Sequence, residues 1–464
     1  MKDRAQLLVG LLILAAVVAA GLEVDRVVGA RPLGAASPPG VPTGAWFCPH
    51  GGGEAWDVRI GLANPGPEPV LARLRGIGAG RPTAPEDHVV APGSTLLVPV
   101  PGEGREASTV VESFGGVLAA GWLEMAGEDA NGVAAEPCLP EAGARWLLPD
   151  GSGLRGYDDV VVVMNPLPAP AVVSLTVFSD GRDPVQIERW TNQTIEPYRA
   201  RAFRLGAVAL GETTAATLVE AEIGRVAVAT LGVSTEGGIR SEVGVPGDAT
   251  EQILPGAGDA GRSELTIVST GEERATISGE MLEPEGAQSL SALAEAGPRP
   301  RAATTVPLTT GSPSTLLVRA DRPGVAFGRR TFGVVADQGS TAGATEPGAA
   351  WVLMPSVIGQ PSHPQIALAN PGEEPASVVL SVLPVEGGAV PSPVTVRIPP
   401  GATVLAPKGF TAQAATSSVL AVAQAGTFVP VSASYALGRE GYATYAVALG
   451  VRLPDGWAPA QAGV

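Results

Sequence analysis

Lysine is nearly missing from this sequence: Lys2 and Lys408 are the only lysines among thirty cationic side chains. Charge of either sign is thin, at 16% of residues, and the net charge is −16. An acidic chain with no basic stripe offers nothing to a phosphate backbone, so nucleic acid is excluded as a partner. Histidine occurs three times and cysteine twice, which leaves little material for metal centres or nucleophilic catalysis. No Gly-x-Ser-x-Gly elbow, phosphate loop or zinc spacing is present. What abounds is Gly (61) and Pro (44), set between short runs of Val, Ile, Leu and Thr. Helices tolerate neither breaker, so the chain reads as strands and turns.

The organising stretch is Trp46-Phe-Cys-Pro followed by Trp56-Asp-Val-Arg-Ile-Gly-Leu-Ala-Asn64-Pro65, because versions of it return. Trp146-Leu-Leu-Pro leads to Asn165-Pro166, and Trp351-Val-Leu-Met-Pro leads to Asn370-Pro371. A weaker copy starts at Gln252-Ile-Leu-Pro255 and ends its strand in Thr270-Gly271. Positions 64, 165, 270 and 370 lie 101, 105 and 100 residues apart, the size of a small β domain. The length of 464 residues also exceeds what one core of at most ~300 residues can organise.

Within repeat one, Val58, Ile60 and Leu62 alternate with Asp57, Arg59 and Gly61, which predicts a strand with one buried face. Asn64-Pro65-Gly66 turns the chain, Val70 to Ile77 gives the next strand, and Ala91 to Pro99 gives a turn and a third. Each unit closes with an apolar strand after a glycine, at Gly116, Gly224, Gly324 and Gly426. About seven short strands per unit predict an all-β protein: a tandem array of four immunoglobulin-like β-sandwich repeats. A propeller of four large blades is the rival, set aside because blades repeat at ~40 to 50 residues. The expected repeats are 45–142, 143–248, 249–346 (degenerate) and 347–453, with a frayed tail at 454–464. The small-residue stretches 299–305 and 337–348 read as flexible loops or linkers.

Leu7 to Leu22 are sixteen uninterrupted apolar or glycine residues behind Lys2 and Arg4, so residues 1–26 read as an export segment. An uncleaved apolar helix carrying Leu7, Leu11, Leu14, Val18 and Leu22 would anchor the protein, single-pass, in the cytoplasmic membrane with its domains outside. Cleavage near Ala20 would release it instead. Residues 27–44, rich in Pro, Gly and Ala, read as an extended stalk.

Cys48 and Cys138 are the only cysteines and flank repeat one, so in an oxidising compartment they are expected to form a disulfide. Cys48 with His50 supplies too few ligands for a metal. His50, His88 and His363 read as loop histidines. Asp158-Asp159 and Glu373-Glu374 read as solvated turn charges, since neighbours on a strand face opposite ways. Asn192-Gln-Thr194 fits a glycosylation acceptor by chance. Trp46, Trp146 and Trp351 could stack on sugars, but one aromatic at the same place in every unit argues for packing at a domain edge or joint.

The Trp-Phe-Cys-Pro start, the Asn-Pro after the long strand, the second cysteine in Cys138-Leu-Pro and the Trp146-Leu-Leu-Pro opening of the next unit resemble an actinobacterial family of secreted or anchored proteins, the domain of unknown function numbered 5719. The resemblance covers about residues 45–453 and implies a compartment without an activity. The expectation is a non-enzymatic cell-envelope protein, a membrane-anchored spacer or interaction scaffold with envelope-protein partners and no cofactor or metal. An array binding cell-wall polysaccharide is the alternative.

Overall fold

The first repeat contributes eight strands: β1 (Gly44–Cys48), β2 (Asp57–Asn64), β3 (Val70–Ile77), β4 (Glu86–Val90), β5 (Ser94–Val100), β6 (Ser108–Phe114), β7 (Ala119–Met125) and β8 (Val133–Pro137). They form an outer sheet ordered β1-β6-β3-β4 and an inner sheet ordered β5-β2-β7-β8. The same first-sixth-third-fourth and fifth-second-seventh-eighth orders recur in the other three repeats. An immunoglobulin sandwich instead pairs its first strand with its second. The computed structural model describes residues 42–457 except 128–131, 236–237, 257–261, 311–312, 333–337, 356–363, 387, 389 and 438–442. The expected export segment, nearly all of the stalk, His363 and the end of the tail lie outside the described residues. Among the described residues no helix is long and apolar enough to cross a membrane.

The asparagine of each Asn-Pro turn ties the two sheets of its sandwich together. Asn64 Nδ2 donates to Glu68 O and to Val90 O at the end of β4, while Gly66 N donates back to Asn64 Oδ1. Asn165 and Asn370 repeat the pattern towards Ile195 O and Ile398 O. In repeat three Thr270 Oγ1 donates to Gly324 O instead. The turn before each seventh strand needs a left-handed residue, and Gly115, Gly224, Gly324 and Gly426 supply it at φ 75° to 92°. In repeat one that residue is Gly115, one before the expected Gly116.

The described residues from Thr43 onward form one compact unit, in which the four sandwiches close into a ring through their eighth strands. The eighth strands, β8, Gly238–Val243, Gln338–Thr341 and Ala443–Leu449, stand at its centre, each packed against two of the others. Three joints share one contact, in which the fifth strand of a repeat donates to the loop behind the preceding third strand: Ala200 N to Gly78 O, Ala303 N to Ser179 O and Thr95 N to Pro384 O. The last of these closes repeat four onto repeat one, reinforced by Thr95 Oγ1 donating to Leu383 O at 2.7 Å. Met354 enters the same joint where Gly61 and Gly121, cross-strand partners on β2 and β7, leave a slot; a Cβ on either would lie 2.7 or 2.8 Å from it.

Ring closure decides how the four sandwiches sit together, which chain order left open. Each inner sheet is covered on its second face by a neighbouring repeat. The alternation expected in β2 fades into a run buried on both faces, and Val160–Asn165 is buried throughout, whereas the outer strand β3 alternates. The stretches expected as loops or linkers are partly strand: Ala302–Thr309 is a fifth strand and Gln338–Thr341 is an axial one, while 299–301 and 342–348 lie outside the strands. Four strands converging on one axis need small side chains, so their Ala, Gly, Ser and Thr reflect close approach rather than flexibility. The eighth strand of each unit was therefore missed.

Candidate functional site at the ring axis

At one end of the axis the chain leaves each eighth strand and turns back onto the first strand of its own repeat. Leu139, Val245, Ala344 and Val451 pair in this way with Phe47, Leu147, Ile253 and Val352. The return covers four sheet edges that would otherwise be open to pairing. One residue further on in the first strands and one back in the returns stand the pairs Cys48 with Cys138, Leu148 with Gly244, Leu254 with Gly343, and Leu353 with Gly450. In repeat one the pair is a disulfide. Elsewhere a leucine stands opposite a glycine; a Cβ at Gly343 would lie 2.8 Å from Leu254 Cδ2, one at Gly244 2.6 Å from Val228 Cγ2 and 3.2 Å from the Trp146 ring, and one at Gly450 2.9 Å from Pro430 Cγ and 3.3 Å from the Trp351 ring.

Trp46, Trp146 and Trp351 meet around this end, with Gln252 at the fourth position. Trp46 Nε1 donates to Leu118 O and Trp146 Nε1 to Val226 O, fastening first strand to seventh. Gln252 Nε2 donates to Phe327 O and Ala342 O, doing with an amide what the Trp46 and Trp146 indoles do. Trp146 and Trp351 are each 2% exposed, while Trp46 is half-buried. Between them lies an apolar recess of about 230 Å³ bordered by the returns of all four repeats, among them Pro137, Val245, Ala344 and Arg452. A larger cleft opens beside it between Trp46, Pro140, Arg452 and Asp455. Arg452 is held at the rim by Glu346 and Asp455 at 2.7 and 2.8 Å.

Charged groups are buried close to the axis where repeats two and three meet. Arg240 donates to Asp150 Oδ2 at 2.6 Å and to Asp159 Oδ2 at 2.5 Å, all three essentially inaccessible. Arg330 of repeat three also donates to Asp150. Burial alone would raise the Asp150 carboxyl, but two guanidiniums outweigh it and hold it below the usual range. Asp159, with one guanidinium and the Asp150 charge nearby, is raised by burial. Burial and then the Asp150 charge push Glu242 up to about 8, although it accepts from Asp150 N and Ser340 Oγ. Glu136 is raised well above the usual range by burial and by Glu242.

The other singled-out residues lie apart from this axis or within its supports. Asp159 is no solvated turn charge: Arg240 draws it inside. Its neighbour Asp158 is partly exposed and pairs with Arg105 and Arg204. Glu373 and Glu374 are exposed in the turn after Asn370. His50 lies in the loop after β1, as expected, but not at the surface. It is fully buried, with Nε2 3.0 Å from Thr109 Oγ1, and burial lowers it to about 4. His88 lies in β4 and Asn192 in a left-handed turn at φ 52°. Cys48 is consumed by the disulfide and leaves His50 no thiolate neighbour. Asp150, Arg240, Arg330, Glu136 and Glu242 escaped notice because their stretches of sequence lie far apart and none carries a recognisable spacing; the ring brings them together.

A family model described as a family of unknown function (DUF5719) matches residues 102–350, more than half of the chain. No curated protein matches. Among solved structures, a tetra-tandem repeat from the extending region of a large adhesion protein aligns at 11% identity over 83% of this chain and 92% of that one, with a TM-score of 0.10. That overlap is too loose to define a shared arrangement.

Proposed function

Since the chain belongs to the DUF5719 family, whose function is unknown, we propose that it is a non-enzymatic interaction scaffold of the cell envelope, with residues 1–26 as an uncleaved single-pass anchor in the cytoplasmic membrane. Cleavage there would make the same ring a secreted one. Each unit is immunoglobulin-like in the broad sense of a two-sheet antiparallel sandwich with its own strand order. The observation that carries the reading is the closed ring: four repeats are spent on a rigid platform with an apolar recess at its centre, a poor design for reach and a good one for presenting a fixed surface. This favours a scaffold over a spacer. The recess and adjoining cleft combine an apolar floor with the Arg452, Glu346 and Asp455 rim, the mixture found at protein contact sites.

The second reading, a wall-polysaccharide binder, rests on Trp46 alone, which is half-buried beside the open cleft, because Trp146 and Trp351 keep no free face for a sugar. Crosslinking of tagged full-length protein in intact cells, followed by analysis of both proteins and wall sugars, separates the two. A membrane or envelope protein captured by the wild type and lost with Trp46→Ser supports the scaffold; polysaccharide lost with the same variant supports the sugar reading. Identical capture by both proteins sinks the recess as the contact.

A further inference from the structure

Glu136 and Glu242 occupy the same place in consecutive repeats, two residues before Cys138 and Gly244 on adjacent eighth strands. They are 2% and 0% exposed. The charged group facing Glu136 is Glu242, and Glu136 Oε1 meets no hydrogen-bond partner among the described residues. Glu242 faces the Asp150 carboxylate, the Arg330 guanidinium and the Ser340 hydroxyl of repeat three. Behind Asp150 stand Arg240 and Asp159. Two guanidiniums thus meet Asp150 and Asp159; Arg330 also faces Glu242 but is bonded to Asp150, so neither glutamate has a guanidinium of its own. The residues that follow the pair, Pro137 and Val243, line the recess, so water is one residue layer away.

We propose that Glu136 and Glu242 form a proton-held latch between repeats one and two: the ring is closed while both carboxyls are neutral, and loss of a proton parts their two strands. The first ionised carboxylate gains no cation bonded to it, since Arg330 is held by Asp150, and sits beside a second carboxyl in a buried site, so its relief is hydration from the recess. Parting β8 from Gly238–Val243 admits that water without opening a sandwich, because the first strand of each repeat stays paired with its own return. The disulfide holds the end of β8 to β1, so β8 moves with repeat one. The direction follows from Glu242 being pushed up to about 8 in the closed ring. An acid raised on folding makes closure weaken as pH climbs from the usual carboxylate range to the raised value, and the loss stops there.

Hydrogen exchange of the full chain between pH 5 and 9, corrected for intrinsic rates, tests this. Opening at β8 and Gly238–Val243 should rise about tenfold per pH unit for one proton released, up to about pH 8. The outer strands Val70–Ile77 and Ala171–Phe178 should stay flat. Glu136→Gln combined with Glu242→Gln should abolish the slope. The infrared carbonyl stretch of a protonated acid should also appear at neutral pH in the difference between wild type and the single variant Glu242→Gln, a subtraction that removes Glu124, which is buried and raised in both, and that needs no double substitution. A pH-independent wild type, an unchanged slope in the double variant, outer strands accelerating in step with the axis, or no protonated-acid band in that difference would each overturn the latch.

Discussion

Gly121 acts through a side chain it does not have. Its virtual Cβ lies 2.8 Å from Met354 Cγ and 2.9 Å from Glu136 O, one contact a flexible thioether and the other backbone. Gly121→Val should therefore cost about 1 to 3 kcal/mol, the range for overpacking, and Met354→Ala in the same chain should recover only part of it, since the backbone contact remains. Chemical denaturation of the two variants measures this; full recovery would move the strain to Met354 alone. Arg240 is the converse case, a large side chain whose removal leaves Asp150 and Asp159 buried and facing each other. Arg240→Ala should cost about 3 to 5 kcal/mol. Asp150 is held below its ordinary value, so its contribution is present above the unfolded carboxylate range and disappears as pH falls through the folded value. The deficit of the variant should accordingly be largest near neutrality and shrink in acid, which melting curves from pH 2 to 7 would show; a constant deficit would mean that Arg240 acts by packing.

The returning segment is the element that makes each repeat self-contained, and the four returns differ in one substitution pattern. A disulfide clamps repeat one where a leucine and a glycine pack in the others. Reducing it should cost up to about 4.6 kcal/mol in the chain-entropy model for a 90-residue separation. Cys48→Leu with Cys138→Gly should remain folded and be more stable than the double serine variant, because it restores the arrangement of repeats two and four; equal melting temperatures would show that the disulfide site has its own packing. At this scale the sequence was most informative where the period is two. The outer strand Val70–Ile77 and the Asn-Pro turns were readable because one face meets water and the turn chemistry is local. The eighth strands were not, since residues such as Gln338-Gly-Ser-Thr341 are chosen for closeness to three other strands, a pressure that no local window displays. One clue was present: Val160-Val-Val-Val163 does not alternate, and a strand apolar on both faces must be covered twice. The axial charges left no such trace, because Arg240 and Glu242 flank Ser241 as they would on any half-exposed strand.

Across the whole molecule, Trp46 and Asp455 border one cleft although they lie near opposite ends of the described chain. A row of sandwiches would hold those positions far apart. A circular permutant that starts at Gly143 and joins Trp457 to Thr43 through a short Gly/Ser linker should fold to the same ring, with an unchanged circular dichroism spectrum and a melting temperature within a few degrees. Failure to fold, with the linker lengthened as a control, would count against closure. Where the four eighth strands meet, the number of repeats is itself a structural constant. A solenoid can gain or shed a unit and only change length. Here each repeat turns the chain through a quarter of a circle, so three would leave a gap and five would collide. Individual repeats can then differ, as the third does with Gln252 where the others have tryptophan and Thr270-Gly271 where they have Asn-Pro, whereas gain or loss of one unit would break the ring.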